Sequence, residues 1–187
     1  MSTVTISDTP FVGNDRLLVG IVLSVLTFWL FAQSVINVVP AMKSSLDISL
    51  ETLTLAVSLS ALFSGCFVVA SGGLADKFGR MRMTTLGLGL SIVGSAMLVI
   101  AQGPWLFLAG RVLQGLSAAC IMPATLALIK TWYEGRARQR AVSFWVIGSW
   151  GGSGLCSFVG GAIATGLGWR WIFVFSIAVA LAALFLL

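Results

Sequence analysis

The chain contains no histidine, and charged residues make up only 9% of its 187 positions. Without histidine, the commonest metal ligand and acid–base group is missing. The three cysteines, Cys66, Cys120 and Cys156, all fall inside apolar runs, and their spacing matches no metal site. They read as packing residues. No nucleophile–base pair or metal constellation stands out, so the chain does not read as an enzyme, and no cofactor is expected. Acids are equally scarce. All six, Asp8, Asp15, Asp47, Glu51, Asp76 and Glu134, fall in or beside loops. No carboxylate is therefore expected at mid-membrane in this segment. The first 16 residues lack a basic stretch and a small-residue cleavage site, so they do not read as a signal peptide.

What remains is apolar. Hydrophobic residues account for 58% of the chain, and its mean hydropathy is +1.05. A soluble domain does not have this composition; a polytopic membrane protein does. A membrane-crossing helix needs about 20 mostly apolar residues. Six such runs are present: Leu17–Val39, Leu53–Leu74, Met83–Ala101, Trp105–Ile129, Ala141–Thr165 and Trp171–Leu187. The expected fold is all-α, a six-helix transmembrane domain over 17–187 behind a tail of residues 1–16. The last run stops without a polar flank, which suggests a fragment truncated near the inner end of the sixth helix.

The net charge is +5. In a soluble protein that excess would suggest nucleic acid, but its distribution here excludes such a partner. Arg16, Lys77, Arg80, Arg82, Lys130, Arg136, Arg138 and Arg140 all fall on one side of the six-span reading. Lys43 and Arg170 fall on the other. Cytoplasmic loops carry the basic excess, so the N-terminus is expected inside.

Three segments carry more information than their composition. The first is Gly72-Gly73-Leu74-Ala75-Asp76-Lys77-Phe78-Gly79-Arg80-Met81-Arg82, between the second and third runs. The glycine pair is expected to turn the chain tightly, and Asp76 to pair with Arg80 or accept from a helix N-terminus. A loop that only set topology would need the basic residues alone. The second segment holds Arg111, Gln114 and Gly115 in the fourth run. Arg111 and Gln114 share a helical face. A charge inside a membrane faces a cavity or a partner, or reaches the headgroups. The third is the fifth run, with Gly148, Gly152, Gly160 and Gly161, where small residues permit close packing and bending. In the first run, Gln33 and Asn37 read as cavity-lining hydrogen-bond formers or as interhelical glue. Among the aromatics within spans, Phe28, Trp29, Phe31, Trp145 and Trp150 either stack on a flat cation or take lipid-facing or packing roles.

The first segment resembles the signature loop G-x-L-a-D-(R/K)-x-G-(R/K) of the major facilitator superfamily. The second resembles that family's R-x-x-Q-G string. The third resembles its g-x-x-x-G-P-x-x-G-G motif, with Cys156-Ser157 in place of Gly-Pro. Longer stretches, such as Gly148-Ser149-Trp150-Gly151-Gly152-Ser153-Gly154, are similar to the fourteen-helix drug:proton antiporter branch. The resemblance implies the N-terminal half of a transporter in the bacterial cytoplasmic membrane. It implies a gating loop at Gly72, Asp76, Lys77, Gly79 and Arg80, and proton coupling at Arg111, Gln114 and Gly115. It implies a bending helix at Gly152, Gly160 and Gly161, and a substrate cavity that Gln33, Asn37 and Trp145 help line. Expected partners are protons, the lipid bilayer, and amphipathic or cationic drugs such as quinolones, quaternary ammonium compounds and dyes. A carrier of metabolites or peptides and a non-transporting accessory protein remain the alternatives.

Overall fold

The computed structural model describes residues 13–46 and 48–187, with the side chains at positions 31, 33–37, 39–41 and 44–46 outside that description. The expectations for Phe31, Gln33 and Asn37 therefore concern side chains outside the described residues, as do those for Asp8 and Asp47. Every expected span is a helix, and no strand occurs among the described residues. The helices are α1 (Asp15–Leu46), α2 (Leu50–Phe78), α3 (Arg80–Ile100), α4 (Pro104–Trp132), α5 (Gly135–Gly166) and α6 (Arg170–Leu186). Among the described residues, α2, α3, α4 and α5 are long and apolar enough to cross a membrane, and α6 is a shorter apolar helix.

Local chemistry sets the ends. The Ser49 hydroxyl accepts from the Thr52 amide at 3.2 Å and caps α2. Pro104 opens α4, where its missing N–H costs nothing. Pro123 lies inside α4. Nearby, the Thr125 hydroxyl donates to the carbonyls of Ile121 and Met122 at 2.7 and 3.1 Å. Within α5, Ile147–Gly151 forms a π turn, a local widening that recurs at functional positions in other helices.

One expectation about the chain's turning point is corrected. Gly72 and Gly73 do not turn the chain; both lie within α2, which continues to Phe78. The reversal is made at Gly79 alone, whose φ is +101°. Side chains rarely adopt that conformation, so the one residue that must be left-handed is the one without a Cβ. Gly72 instead lies against Pro123, where a Cβ would make ordinary contact at 3.8 Å.

Helix α4 is the hub. It packs against α2 on one flank and α3 on the other, while α1 packs on α5 and α6, and α3 on α6. Lipid offers little hydrophobic drive for helices to associate, so close packing of small residues decides. Between α3 and α4 a Cβ on Gly94 would lie 3.0 Å from the Gly110 carbonyl, and one on Gly110 would lie 3.0 Å from the Gly94 carbonyl. Between α2 and α4 the close approach is at Gly115. Cys120 and Cys156 are buried, as packing residues should be, but Cys66 is exposed on α2. Its helix meets the rest of the domain mainly along the α4 face.

Candidate functional site

At the end of the domain that carries the basic residues, a single-residue link leaves α2 and α3 joined through an ion pair. The Arg80 guanidinium donates from Nε and Nη2 to Asp76 Oδ1, at 3.2 and 3.0 Å. Its Nη1 donates to the Ala127 carbonyl at 3.1 Å and to the Thr131 hydroxyl, both on α4. Arg80 therefore ties the end of α2, its own helix α3 and the last turns of α4 together. The pair is accessible, with 65% of the Asp76 side chain and 34% of the Arg80 side chain exposed. Lys77 and Gly79 are exposed beside it.

The start of α1 is strapped to the same end. The Tyr133 hydroxyl donates to the Asn14 carbonyl at 2.7 Å, and the Gly13 amide donates to the Trp132 carbonyl at 2.9 Å. Asp15 lies 3.5 Å from Arg140 on α5. Burial and the Asp15 charge push the Tyr133 phenol above its ordinary pKa, while Arg140 pulls it down. Arg138 folds back onto the carbonyls of Tyr133 and Lys130 at 2.8 and 3.0 Å, and Arg16 reaches the Phe185 carbonyl at 3.0 Å. These carbonyls sit at or near helix C-termini, where cations are favoured. At the opposite end Arg170 does the same for Ala101, at 3.0 Å.

Deep in the domain, Arg111 is only 1% exposed. Its side chain is enclosed by the neighbouring helices. Its Nη1 donates to Gln114 Oε1 at 2.7 Å. Gln114 Nε2 donates to Ser95 Oγ on α3 at 3.1 Å. From α2, the Ser60 hydroxyl donates to the Arg111 carbonyl at 2.8 Å. One turn of α4 thus binds α2 and α3 together through a buried polar network. Such a network stabilises only when its members find partners, because an unpaired buried polar group is costly. Gly115, in the same turn, admits α2: a Cβ there would lie 2.5 Å from the Ser60 carbonyl.

Beside Arg111, between α1, α2 and α4, opens a groove of 410 Å³. Phe28, Trp29, Ser60, Ser64, Arg111 and Gly115 are among its lining residues. Phe28 and Trp29 meet edge to face, 4.9 Å between ring centres. Trp145 does not join them. It lies toward the basic end, where its Nε1 donates to the Thr125 hydroxyl at 3.1 Å, and it packs on the cluster of Leu17, Ile21, Ile129 and Tyr133. On α5, Gly152 meets α1 closely; a Cβ there would lie 2.7 Å from Leu26 Cδ2 and 3.5 Å from Trp29 Cδ1. Gly160 is buried, whereas a Cβ on Gly161 would meet nothing within 4 Å.

The structure brings Arg111, Gln114 and Gly115 into one site. It brings Asp76, Gly79 and Arg80 into another, with the stretch of α2 from Ser60 to Asp76 between them. Ser60, Ser95 and Trp29 belong with the first, and no spacing along the chain marks Ser60 or Ser95. A sequence argument starting from a buried arginine would still look for hydroxyls on the neighbouring spans, and serine is frequent there.

The comparisons with known proteins point one way. The chain is 61% identical over 181 residues to the quinolone resistance protein NorB of Staphylococcus aureus strain JH9, a match covering 97% of this chain and 39% of that protein. NorB of strain Newman gives the same figures. The chain thus spans well under half the length of these relatives. Among solved structures, a peptide transporter, POT, crystallised with alafosfalin superposes with a TM-score of 0.81. It covers 95% of this chain and 39% of that one, at 18% identity, a likeness of fold alone. The model of the Major Facilitator Superfamily matches residues 17–187, so the chain belongs to that superfamily.

Proposed function

We propose that the chain is the N-terminal half of a multidrug exporter of quinolone type, driven by the proton gradient and working by alternating access. Residues 1–16 form its cytoplasmic tail, and residues 17–187 its six-helix domain in a bacterial cytoplasmic membrane. The observation that carries this reading is the 61% identity, over 97% of the chain, to a quinolone resistance protein. The gathering of basic residues at the end of the domain that holds the start of α1 supports an N-terminus inside.

In this reading Gly72, Asp76, Lys77, Gly79 and Arg80 form a gate on the cytoplasmic side. The Asp76–Arg80 pair and its bonds to α4 support that role, because they hold three helices at one closure point. Arg111, Gln114 and Gly115 serve proton coupling; a buried guanidinium in contact with a groove is suited to sensing a carboxylate contributed by the other half. Gly152, Gly160 and Gly161, with the π turn before them, allow α5 to shift along α1. Trp145 braces the basic end of the domain through Thr125 and the Leu17, Ile21, Ile129 and Tyr133 cluster.

The test is export by the full-length protein in cells lacking their own pumps. Quinolone and cationic dye should accumulate less than in control cells, and collapse of the proton gradient should restore accumulation. Cysteines introduced at Met81 and Gln139 should label only after the inner face is opened, and one at Gln102 should label from outside. Accumulation unaffected by expression would sink the export reading. Outside labelling at position 81 would overturn the orientation.

A further inference from the structure

We propose that the cleft where α1 shows between α5 and α6 holds one anionic phospholipid of the leaflet at the basic end, its phosphate on Arg140 and one acyl chain lying along α1. The site depends on the membrane placement proposed above and not on what the full-length protein exports.

The packing leaves the cleft open. Helix α1 packs closely on both α5 and α6, which meet each other much less. Two cavities lie in the gap. One, of 230 Å³, is lined at the basic end by Asp15, Val19, Val22, Arg140 and Phe144, among others. The other, of 180 Å³, is lined deeper in by Leu26, Leu30, Leu155, Cys156 and Phe175, among others. Leu23 lines both, so the two adjoin along α1. From Val19 to Leu30 the helix rises about 17 Å, close to the ~15 Å of hydrocarbon in one leaflet. In the deeper cavity every described lining side chain is apolar apart from the Cys156 thiol, which donates to the Leu26 carbonyl at 3.8 Å. Val19, Leu155 and Phe175 keep apolar surface that this chain does not cover, being 50%, 60% and 42% exposed. An unfilled cleft of this kind forfeits dispersion contacts along its walls. A flexible hydrocarbon chain restores them, whereas a charged ligand would lose its water there without gaining a partner.

The mouth carries the charge that a phosphate needs. Arg140 lies over the Phe144 ring, 5.6 Å from its centre, with 61% of its side chain exposed. Its ion pair with Asp15 is 3.5 Å long and largely in the open. Such pairs are worth little, so the guanidinium is free to take a stronger acceptor. Arg136, also exposed, is four residues earlier on the same face of α5. Planar guanidiniums match the geometry of a phosphate, which accepts from both. Asp15 stays beside them and favours a headgroup with donors of its own. A glycerol headgroup meets both demands, because its hydroxyls donate to Asp15 while its phosphate accepts from Arg140.

Native mass spectrometry of the delipidated full-length protein in detergent tests the site, with phosphatidylglycerol and diacylglycerol of identical chains as probes. Phosphatidylglycerol should fill one site about tenfold more tightly than diacylglycerol, the scale of one hydrogen bond to a charged group. Arg140→Gln should remove most of that preference. Val159→Trp, which fills the deeper cavity, should weaken both lipids. Because a tryptophan there can disturb folding, position is read separately in the unaltered protein. Phosphatidylglycerol with a photoreactive group at its chain end should attach within 26–30, 151–159 or 175–179. Equal affinity for the two lipids overturns the proposal. So does attachment only elsewhere, as when the other half of the protein covers the cleft. Competitive displacement of the lipid by a quinolone also overturns it, by making the drug the occupant. Quinolone export by a protein that fails this test leaves the export reading intact, and lipid bound in the cleft without export sinks that reading alone.

Discussion

Replacing Gly115 by alanine tests how tightly α2 is seated on α4. The new Cβ would lie 2.5 Å from the Ser60 carbonyl oxygen, and 3.1 Å from Ser60 Cα and from Phe63 Cβ. Two of these are backbone atoms of a helix, which cannot rotate aside as a side-chain tip can. Relief needs local withdrawal of α2 by about 1 Å, and close-packed interiors resist such shifts. Overpacking of this kind costs about 1–3 kcal/mol. Withdrawal also stretches the 2.8 Å bond from Ser60 to the Arg111 carbonyl, worth a further ~1 kcal/mol. The expected loss is thus about 2–4 kcal/mol. It should be read by denaturing the full-length protein with sodium dodecyl sulfate in mixed micelles, followed by circular dichroism. Gly161→Ala is the control, because its Cβ meets nothing within 4 Å. If Gly115→Ala unfolds at the same detergent fraction as Gly161→Ala, α2 is not held against α4 as described.

Gly79→Ala forces a side chain into φ +101° and should cost about 1–3 kcal/mol by the same denaturation, with the α2–α3 turn as its origin; no loss would mean that the turn can be made another way. Asp76→Asn should leave stability within ~1 kcal/mol, because an exposed ion pair contributes little, yet reduce dye efflux strongly; normal efflux at matched expression would remove the gate. Arg111→Lys keeps the charge but loses the planar fork that reaches Gln114. Proton-coupled efflux in energised vesicles should therefore fall nearly as far as in Arg111→Ala, and full activity in the lysine variant would show that charge alone suffices.

The six helices were legible because each is a long apolar run, and their order followed from the basic loops between them. Arg111 and Gln114 were legible as a pair because three residues along a helix bring side chains onto one face. The true turning point was not. Gly72 and Gly73 look like a hinge in sequence, but a helix packed against Pro123 tolerates small residues without breaking, and only a backbone angle distinguishes Gly79 from them. Partners far apart in the chain were hidden for a different reason. The Tyr133–Asn14 bond spans 119 positions and the Arg170–Ala101 bond 69. Both depend on which helix ends meet, and composition does not encode that. The role of Gly115 needed the register of α2 on α4, and the place of Trp145 needed to be known relative to the groove before it could be separated from Trp29.

Why a membrane domain keeps Arg111 at all follows from its energetics. Burying a guanidinium costs several kcal/mol even when it is well partnered, and an apolar side chain of similar size would pack this turn at least as well. Stability alone gives no reason for the charge. The cost becomes intelligible if the charge acts on something that enters the groove. In that case the arrangement also explains why the two distant sites belong to one device. Ser60 and Gly115 lock α2 to the Arg111 turn, and the same α2 ends in the Asp76–Arg80 pair at the basic end. Under the proposed reading, a ligand or proton that altered the Arg111 turn would change the seating of α2, and α2 runs on from Ser60 to the Asp76–Arg80 pair at its basic end.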